Sequence, residues 1–226
     1  MGIRKRAVRG CAALVSSVVI ALPVVAAVAP AKAADVAAEH GGQVVISEIA
    51  NGGPGGYHDN FIEIANWGDE PVDVSGWELF RCTGTGSVAS APQNTLQGTI
   101  GAGERWVFAR ESDQSTIADA DVKQRYKTSL ANESYGALLR DSSGEDVDAV
   151  AVQFPGTANQ ACGEGTVLAN TTDSAAGESF QRTKDTNDNA ADFIRAPRTP
   201  GKENATKPSA APRRGDVLIS EVAHAG

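Results

Sequence analysis

Residues 59–79 read DNFIEIANWGDEPVDVSGWEL, and this stretch decides the fold class. Apolar and polar side chains alternate over residues 61–66, which is the two-residue period of a strand with one buried face. A turn follows at residues 69–71, where proline presets the backbone angle φ. The alternation resumes at residues 72–74 and continues from Trp77. The stretch therefore predicts short strands separated by tight turns.

The same alternation extends in both directions along the chain. The Gly-rich residues 51–56 cannot continue a strand and predict a loop. Residues 101–103, Gly-Ala-Gly, predict a hairpin connection between the strands on either side. Many short strands at turn-rich spacing indicate an all-β sandwich or barrel. The predicted strands are Val44–Ile49, Phe61–Asn66, Val72–Val74, Trp77–Arg81, Thr95–Ile100, Arg105–Arg110, Tyr135–Arg140, Asp146–Val152 and Glu178–Arg182.

Helical periodicity is weak after the N-terminal region. Residues 119–130 are the one helix candidate, and their apolar stripe is short. Residues 111–133 and 155–176 are polar, so we expect them to be insertions on the β scaffold.

The N-terminus has the features of an export signal. Basic residues precede an apolar run from Cys11 to Val28, and residues 31–33, Ala-Lys-Ala, fit a cleavage motif. We predict a signal peptide over residues 1–33, cut between Ala33 and Ala34, and a secreted, extracellular protein that no membrane segment retains. An uncleaved anchor is the alternative, because the run could span a bilayer. Pro23 and the cleavage motif argue against it.

The protein is acidic, and removal of the signal peptide makes its net charge more negative. The chain has 20 basic and 28 acidic residues, a net charge of −8. Residues 1–33 hold five of the basic residues and no acidic ones, which leaves 15 against 28, a net charge of −13. Such a surface matches phosphate backbones poorly, because their binding depends on clustered Lys and Arg.

Two cysteines, Cys82 and Cys162, remain after the signal. An even number of cysteines in an exported protein favours a disulfide, and we predict one between these two. Two unpaired buried thiols are the alternative.

Several sequence motifs follow one another in an order that is specific as a set. They are residues 45–49 (Val-Ile-Ser-Glu-Ile), 59–66, 70–79, 101–104, 137–141, 146–150 and 199–204 (Thr-Pro-Gly-Lys-Glu-Asn). In this order they resemble the lamin-tail domain, which occurs in nuclear lamins and in many secreted bacterial proteins. The resemblance spans about residues 43–204. It implies an immunoglobulin-like antiparallel β-sandwich.

The resemblance also implies a function without catalysis. Similar secreted domains accompany nucleases, phosphoesterases and surface proteins, so we expect a module for binding, tethering or protein–protein interaction within a larger secreted protein. Its partner would be a protein or a cell-surface component. One alternative is nucleic-acid binding, by analogy with lamin tails, although the acidic charge disfavours it. Another is an accessory role for a hydrolase whose catalytic domain lies outside this chain. The C-terminal basic residues are Arg195, Arg198, Lys202, Lys207, Arg213 and Arg214.

Residues with catalytic chemistry are scarce. The sequence contains no Gly-x-Ser-x-Gly, His-Glu-x-x-His or phosphate-loop motif, and His58 is the one histidine inside the predicted sandwich. Glu48, Asp59 and Glu63 could meet as paired acids, yet nothing in the sequence isolates them for acid–base chemistry. We expect Glu48 and Glu63 to lie on solvated strand faces. No catalytic residue and no cofactor are predicted.

One segment has the spacing of oxygen ligands for a metal. Asp185, Asn187 and Asn189 alternate like the first ligands of a calcium loop. The segment lacks the sixth-position glycine and a glutamate at the twelfth position, which is Ala196. We predict weak calcium binding there, with a polar turn that caps its own backbone as the favoured alternative.

The chain is organised around one domain. A flexible lead-in at residues 34–42 precedes the sandwich at 43–204, and a Pro-containing linker follows at 205–215. Residues 216–222, Asp-Val-Leu-Ile-Ser-Glu-Val, repeat residues 43–49. We expect residues 216–226 to begin a truncated second repeat. Alternatively, they dock on an open sheet edge of the first domain.

Overall fold

The computed structural model describes residues 44–154, 162–170 and 177–205. The predictions for the signal peptide, the lead-in, the linker after Ala205 and the second repeat lie outside the described residues.

The described residues form short strands with little helix. Two 3₁₀ turns cover Tyr57–Asp59 and Asp119–Asp121, and one short helix, α1, covers Asn189–Asp192. The strands are β1 Val44–Ala50, β2 Phe61–Asn66, β3 Val72–Asp73, β4 Glu78–Cys82, β5 Asn94–Thr95, β6 Thr99–Ile100, β7 Arg105–Arg110, β8 Val122–Tyr126, β9 Tyr135–Arg140, β10 Asp146–Gln153, β11 Leu168–Ala169, β12 Glu178–Arg182 and β13 Phe193–Pro197.

Two sheets make a sandwich. The six-stranded sheet has the order β13-β12-β1-β2-β7-β8, and the five-stranded sheet has the order β11-β10-β9-β4-β5. Strands β3 and β6 form a small separate pair. Most neighbours are antiparallel, but β7–β8 and β10–β11 are parallel pairs at sheet edges. The predicted all-β sandwich is confirmed.

The main core lies between the two sheets. Strand β1 contributes Ile46 and Ile49 to it, although a spacing of three residues would put them on opposite faces of a regular strand. The pairing of β1 with β2 shifts register between Ile46 and Glu48, so a β-bulge at Ser47 returns both isoleucines to one face. They pair there with Ile64 and Ile62, which are also buried.

Central strands of the six-stranded sheet are buried on both faces. Every residue of β1 and β2 is buried. One part of the outer face carries a second apolar cluster, formed by Ala50, Phe61, Val107, Ala109 and Ile117. The rest of that face is covered by the C-terminal segment, residues 198–205, which we call the strap.

Four secondary-structure predictions were wrong. The helix expected at residues 119–130 is a 3₁₀ turn followed by β8, which pairs in parallel with β7. The strand expected at 95–100 is broken into β5 and β6, which belong to different sheets. The hairpin expected at 101–103 does not form, because β6 pairs with β3 whereas β7 pairs with β2. Strand β12 is not the last, since β13 continues the sheet.

Candidate functional site

Two glutamates lie inside the protein, contrary to the expectation that they face solvent. Glu48 and Glu63 are opposite each other in the β1–β2 pair and are both fully buried. The alternation of the strands does point them away from the core between the sheets. The strap covers that outer face and so excludes water from Glu48 and Glu63. No pattern within β1 or β2 predicts this coverage.

The strap supplies hydrogen-bond donors to both carboxylates. Glu48 accepts from the backbone N–H of Thr199 at 2.8 Å and from its hydroxyl at 3.0 Å. Glu63 accepts from the backbone N–H of Gly201 at 2.8 Å. Gly201 has a φ of +76°, a conformation that glycine adopts without strain. Asn204 then donates to the backbone carbonyl of Ser47 at 2.8 Å. We call Glu48, Glu63 and the strap residues that bind them the strap cluster.

The two carboxyls of the strap cluster hold their protons tightly. Burial raises the pKa of Glu63 to about 7, and the neighbouring Glu48 adds to the rise. Burial also raises the pKa of Glu48. The hydroxyls of Ser47 and Ser179, each 2.5 Å from a carboxylate oxygen, and a nearby arginine offset part of these rises. Near neutral pH the pair therefore shares less than two full negative charges.

Asp59, the third acid named from the sequence, holds loops together. Its carboxylate accepts from the backbone N–H groups of Gly55 and Thr116. Burial alone would raise the pKa of Asp59, but these hydrogen bonds, the Thr116 hydroxyl and Arg198 lower it. Arg198 reaches Asp59 beneath the Gly-rich loop, where a Cβ at Gly53 would collide with its guanidinium. The three acids are therefore not a free paired-acid site.

A fully buried arginine organises the opposite side of β1. Arg182, from β12, pairs with Asp148 at 2.5 Å and with Asp185 at 2.9 Å, and it lies 3.7 Å from Asp192. Its Nε donates to the backbone carbonyl of Ile46, at the β-bulge. We call Arg182 and the acids around it, Asp148, Glu164, Asp185 and Asp192, the arginine cluster.

The residues of the predicted calcium loop are placed next to this cluster. The Asp185 carboxylate faces Arg182. The Asn189 side chain is buried; it accepts from the backbone N–H groups of Ala151 and Glu164 and donates to the carbonyl of Ala149. Asp185 and Asn189 thus already have protein partners, and calcium binding stays a prediction. The turn alternative fits the local geometry.

That local geometry consists of side chains that cap the turn. Asp188 accepts from the backbone N–H of Ala191 at the start of α1. Asp192 accepts from the backbone N–H groups of Thr186 and Asp188 and from the Thr186 hydroxyl. Asn187 has a φ of +56°, which asparagine tolerates better than most residues. In the ranges that the structure describes, no group of three or more His, Cys, Asp or Glu residues could hold a metal ion.

Cys82 and Cys162 form a disulfide with a Cα–Cα distance of 6.2 Å. The predicted pairing is confirmed. It ties residues 162–170, which carry Glu164 of the arginine cluster, to strand β4 of the five-stranded sheet.

Two exposed aromatic side chains stand beside arginines at the surface. The first is Tyr57, in the 3₁₀ turn after the Gly-rich loop, which is 53% exposed. The guanidinium of Arg110 lies 4.7 Å from its ring centroid, and the ring of His58 lies at 4.0 Å. His58 Nδ1 is 2.9 Å from an Arg110 Nη, which can only donate, so Nδ1 accepts the hydrogen bond. We call these three residues the Tyr57 patch.

The second exposed aromatic, Trp67, borders a cleft. The cleft has a volume of about 430 Å³ and lies where β2, β7, β12 and the end of the strap come together. We call it the Trp67 cleft; it is lined by Trp67, Arg105, Arg182, Thr183, Lys184, Glu203, Asn204 and Ala205. Nothing in the sequence motifs marked these residues as a group, because they come from four separate segments.

Two of the C-terminal basic residues, Arg195 and Arg198, are held in ion pairs, whereas Lys207, Arg213 and Arg214 lie outside the described residues. The Arg198 side chain is only 10% exposed and lies 3.5 Å from Asp59. Arg195 lies 2.7 Å from Glu178. Among the described segments, no helix is long and apolar enough to cross a membrane.

Comparison with known families gives one match. The model of the Lamin Tail Domain family matches residues 37–153, which is more than half of the chain. The match contains Glu48, Glu63 and the Tyr57 patch, whereas β11 to β13 and the strap follow it. No curated protein matches the sequence.

Proposed function

Because the chain belongs to the lamin tail domain family, with its immunoglobulin-like fold, we propose that it acts as a secreted, non-catalytic module that binds or tethers a macromolecular partner. Its role is accessory, within a larger secreted protein. The observation that carries the proposal is a pair of exposed aromatics: Tyr57, which lies against Arg110, and Trp67, which borders a cleft that Arg105 also lines. Aromatic and arginine side chains dominate binding energy at protein interfaces.

The buried ionisable groups support a structural and not a catalytic use of the acids. The carboxylates of Glu48, Glu63 and Asp59 accept hydrogen bonds from backbone N–H and hydroxyl groups of the loops and the strap. Asp148 pairs with Arg182. A general acid or base must reach a substrate proton within hydrogen-bond distance, and these carboxylates are covered.

A pull-down tests the proposal. The protein without its signal peptide is immobilised and exposed separately to DNA, to cell-wall polysaccharide and to culture-supernatant proteins. We expect one fraction to be retained, and we expect retention to fall at least fivefold in the Tyr57→Ala/Trp67→Ala double variant. Both rings lie on the surface, so the double variant should unfold at the same temperature as the original protein.

The matched control is Phe154→Ala, which removes another exposed aromatic, 45% accessible, that follows β10 and does not line the Trp67 cleft. Retention equal to that of a resin without protein, for all three fractions, would overturn the proposal. So would retention that the double variant leaves unchanged.

A further inference from the structure

The Trp67 cleft has the chemistry of a ligand site. We propose that it binds a carboxylated sugar, the acidic ring of an extracellular polysaccharide. This inference rests on the proposed binding function and names the ligand of one of its two surfaces. The cleft volume of about 430 Å³ falls in the range of small-ligand sites and leaves room for one or two sugar rings.

Trp67 offers a flat apolar face on a rigid support. It follows directly after β2 and is 38% exposed, whereas Trp77 and Trp106 are buried. The Asn66 side chain fixes the turn that carries it, donating to the carbonyls of Glu70 and Ile100 and accepting from the N–H of Gly68. An exposed tryptophan held in place loses little conformational freedom on binding, so the C–H face of a sugar ring can stack on it at low entropic cost.

Arg105 supplies a cation whose hydrogen bonding is incomplete. Its side chain is 17% exposed and lies 3.6 Å from Glu63, too far for a hydrogen bond. Its Nη1 is buried without a hydrogen-bond partner among the described residues. Burial of an unsatisfied donor is unfavourable, so a carboxylate bound in the cleft would relieve this cost. Lys184, which is 48% exposed and lies 3.7 Å from Asp192, adds a second cation to the wall.

Asn204 supplies the complementary acceptor. Its Nδ2 donates to the carbonyls of Ser47 and Arg182, which fixes the orientation of the amide. Its Oδ1 is buried and has no hydrogen-bond donor in the described part of the chain. A hydroxyl group can fill that role. A ligand that matches the cleft has an anionic group for Arg105, a hydroxyl donor for Asn204 and a flat C–H face for Trp67. A uronic acid has all three on one ring.

The wall of the cleft argues against a nucleic acid as the ligand. Glu203 adds a negative charge beside Lys184, and Arg182 is already neutralised by Asp148. The chain has a net charge of −8, whereas binding to a phosphate backbone depends on many cations in a row. Glu203 repels any anion but can accept a hydrogen bond from a sugar hydroxyl, so a ring with one carboxylate and several hydroxyls is opposed less than a chain of phosphates.

Titration with galacturonic-acid trimer tests the inference on the protein without its signal peptide. Because the other two tryptophans are buried, a change in tryptophan fluorescence on binding reports Trp67. We expect binding of the trimer at least tenfold tighter than of neutral galactose trimer. Trp67→Ala and Lys184→Gln should each weaken it about fivefold or more. Phe154→Ala and Arg140→Gln, an exposed aromatic and an arginine of an exposed ion pair, are the matched controls and should leave it unchanged.

Each outcome separates the inference from the proposed function. Equal affinity for the acidic and neutral trimers, or binding that Trp67→Ala does not weaken, overturns the ligand assignment. So does a preference for a twelve-nucleotide DNA strand over the acidic trimer. In those cases the pull-down still decides the binding function, because retention that falls in the Tyr57→Ala/Trp67→Ala double variant sustains it. If the pull-down retains nothing, the function itself fails.

Discussion

The strap cluster and the arginine cluster bury carboxylates on either side of strand β1, but they stabilise them differently. In the strap cluster, neutral hydroxyl and N–H groups surround Glu48 and Glu63, and the nearest cation to Glu63 is 3.6 Å away. In the arginine cluster, Asp148 forms a 2.5 Å pair with a fully buried guanidinium. In the first arrangement burial raises the pKa of both acids, that of Glu63 to about 7. In the second, burial raises the pKa of Asp148 to about 6 and that of Glu164 to about 8, although Arg182 lowers both, so the charge of Asp148 depends on an intact arginine.

Loss of the disulfide should have the largest effect and should act on the arginine cluster. The Cys82→Ala/Cys162→Ala variant frees the segment that carries Glu164. The closed loop has a sequence separation of 80 residues. For that length, loop-closure entropy predicts a destabilisation of about 4–5 kcal/mol, an upper value. Denaturant unfolding measures it.

Reduction with a thiol reagent is the control for the disulfide. It should lower the stability of the original protein and leave the variant unchanged. Equal stability of the variant and the oxidised protein would contradict the prediction.

Removal of the buried arginine should come next. Arg182→Met leaves Asp148 and its acidic neighbours without a counter-charge, and breaking a buried pair in this way costs about 3–5 kcal/mol. The comparison variant is Arg140→Met, which breaks the exposed pair with Asp146 and should cost less than about 1 kcal/mol. Thermal unfolding of both variants checks the difference. Similar small losses in the two would mean that the arginine cluster is not a charged core.

The strap cluster should make the free energy of unfolding depend on pH. Because the folded protein holds the Glu63 proton with a pKa of about 7, against 4.5 in the unfolded chain, its contribution to stability is complete below pH 4.5. It is lost as the pH rises to about 7, by about 3 kcal/mol for a shift of this size. Glu63→Gln keeps the side-chain shape but cannot ionise, so it should reduce the fall between pH 4.5 and 7 and leave the part that comes from Asp148 and Glu164, whose pKa values burial raises to about 6 and about 8.

Unfolding curves at four or five pH values measure this slope. Asp73→Asn is the control, because Asp73 is an exposed acid whose pKa is lowered and not raised. A slope of the same size in Glu63→Gln and in the original protein would show that Glu63 is not the titrating group.

Calcium should have the smallest effect. A weak site at Asp185, Asn187 and Asn189 would have to compete with Arg182 for the Asp185 carboxylate. At a calcium concentration equal to the dissociation constant, binding adds about 0.4 kcal/mol of stability. Calorimetry with millimolar calcium, and the same titration of Asp185→Asn, measure it. The absence of heat and of a thermal shift would leave the segment as a capped turn.

Sequence reasoning predicted the strands that pack in the core and missed those that lie at edges. Strands β2, β7 and β9 were predicted with their observed bounds, because their apolar alternation reflects the core they face. Strand β8 has a polar sequence, and Tyr126 is its only buried residue. It was therefore predicted, wrongly, as part of a helix. An edge strand on a polar face has no apolar period to detect.

The candidate site was harder to predict than the fold. The Trp67 cleft joins the ends of β2 and β12 to the strap, so its residues are separated by more than 130 positions along the chain. The buried state of Glu48 and Glu63 also depends on the strap. A local pattern can show that a glutamate leaves the core face, but not what later covers it.

The sequence by itself determined the sandwich class, the family and the Cys82–Cys162 pairing, because each follows from local periodicity, from the order of motifs or from a count of two cysteines. The tertiary structure alone decided which acids are buried and which cations border a cleft. The physical reason is that charge burial depends on contacts between distant segments: Thr199 and Gly201 reach back to β1 and β2 and change the protonation of residues that look like ordinary surface glutamates.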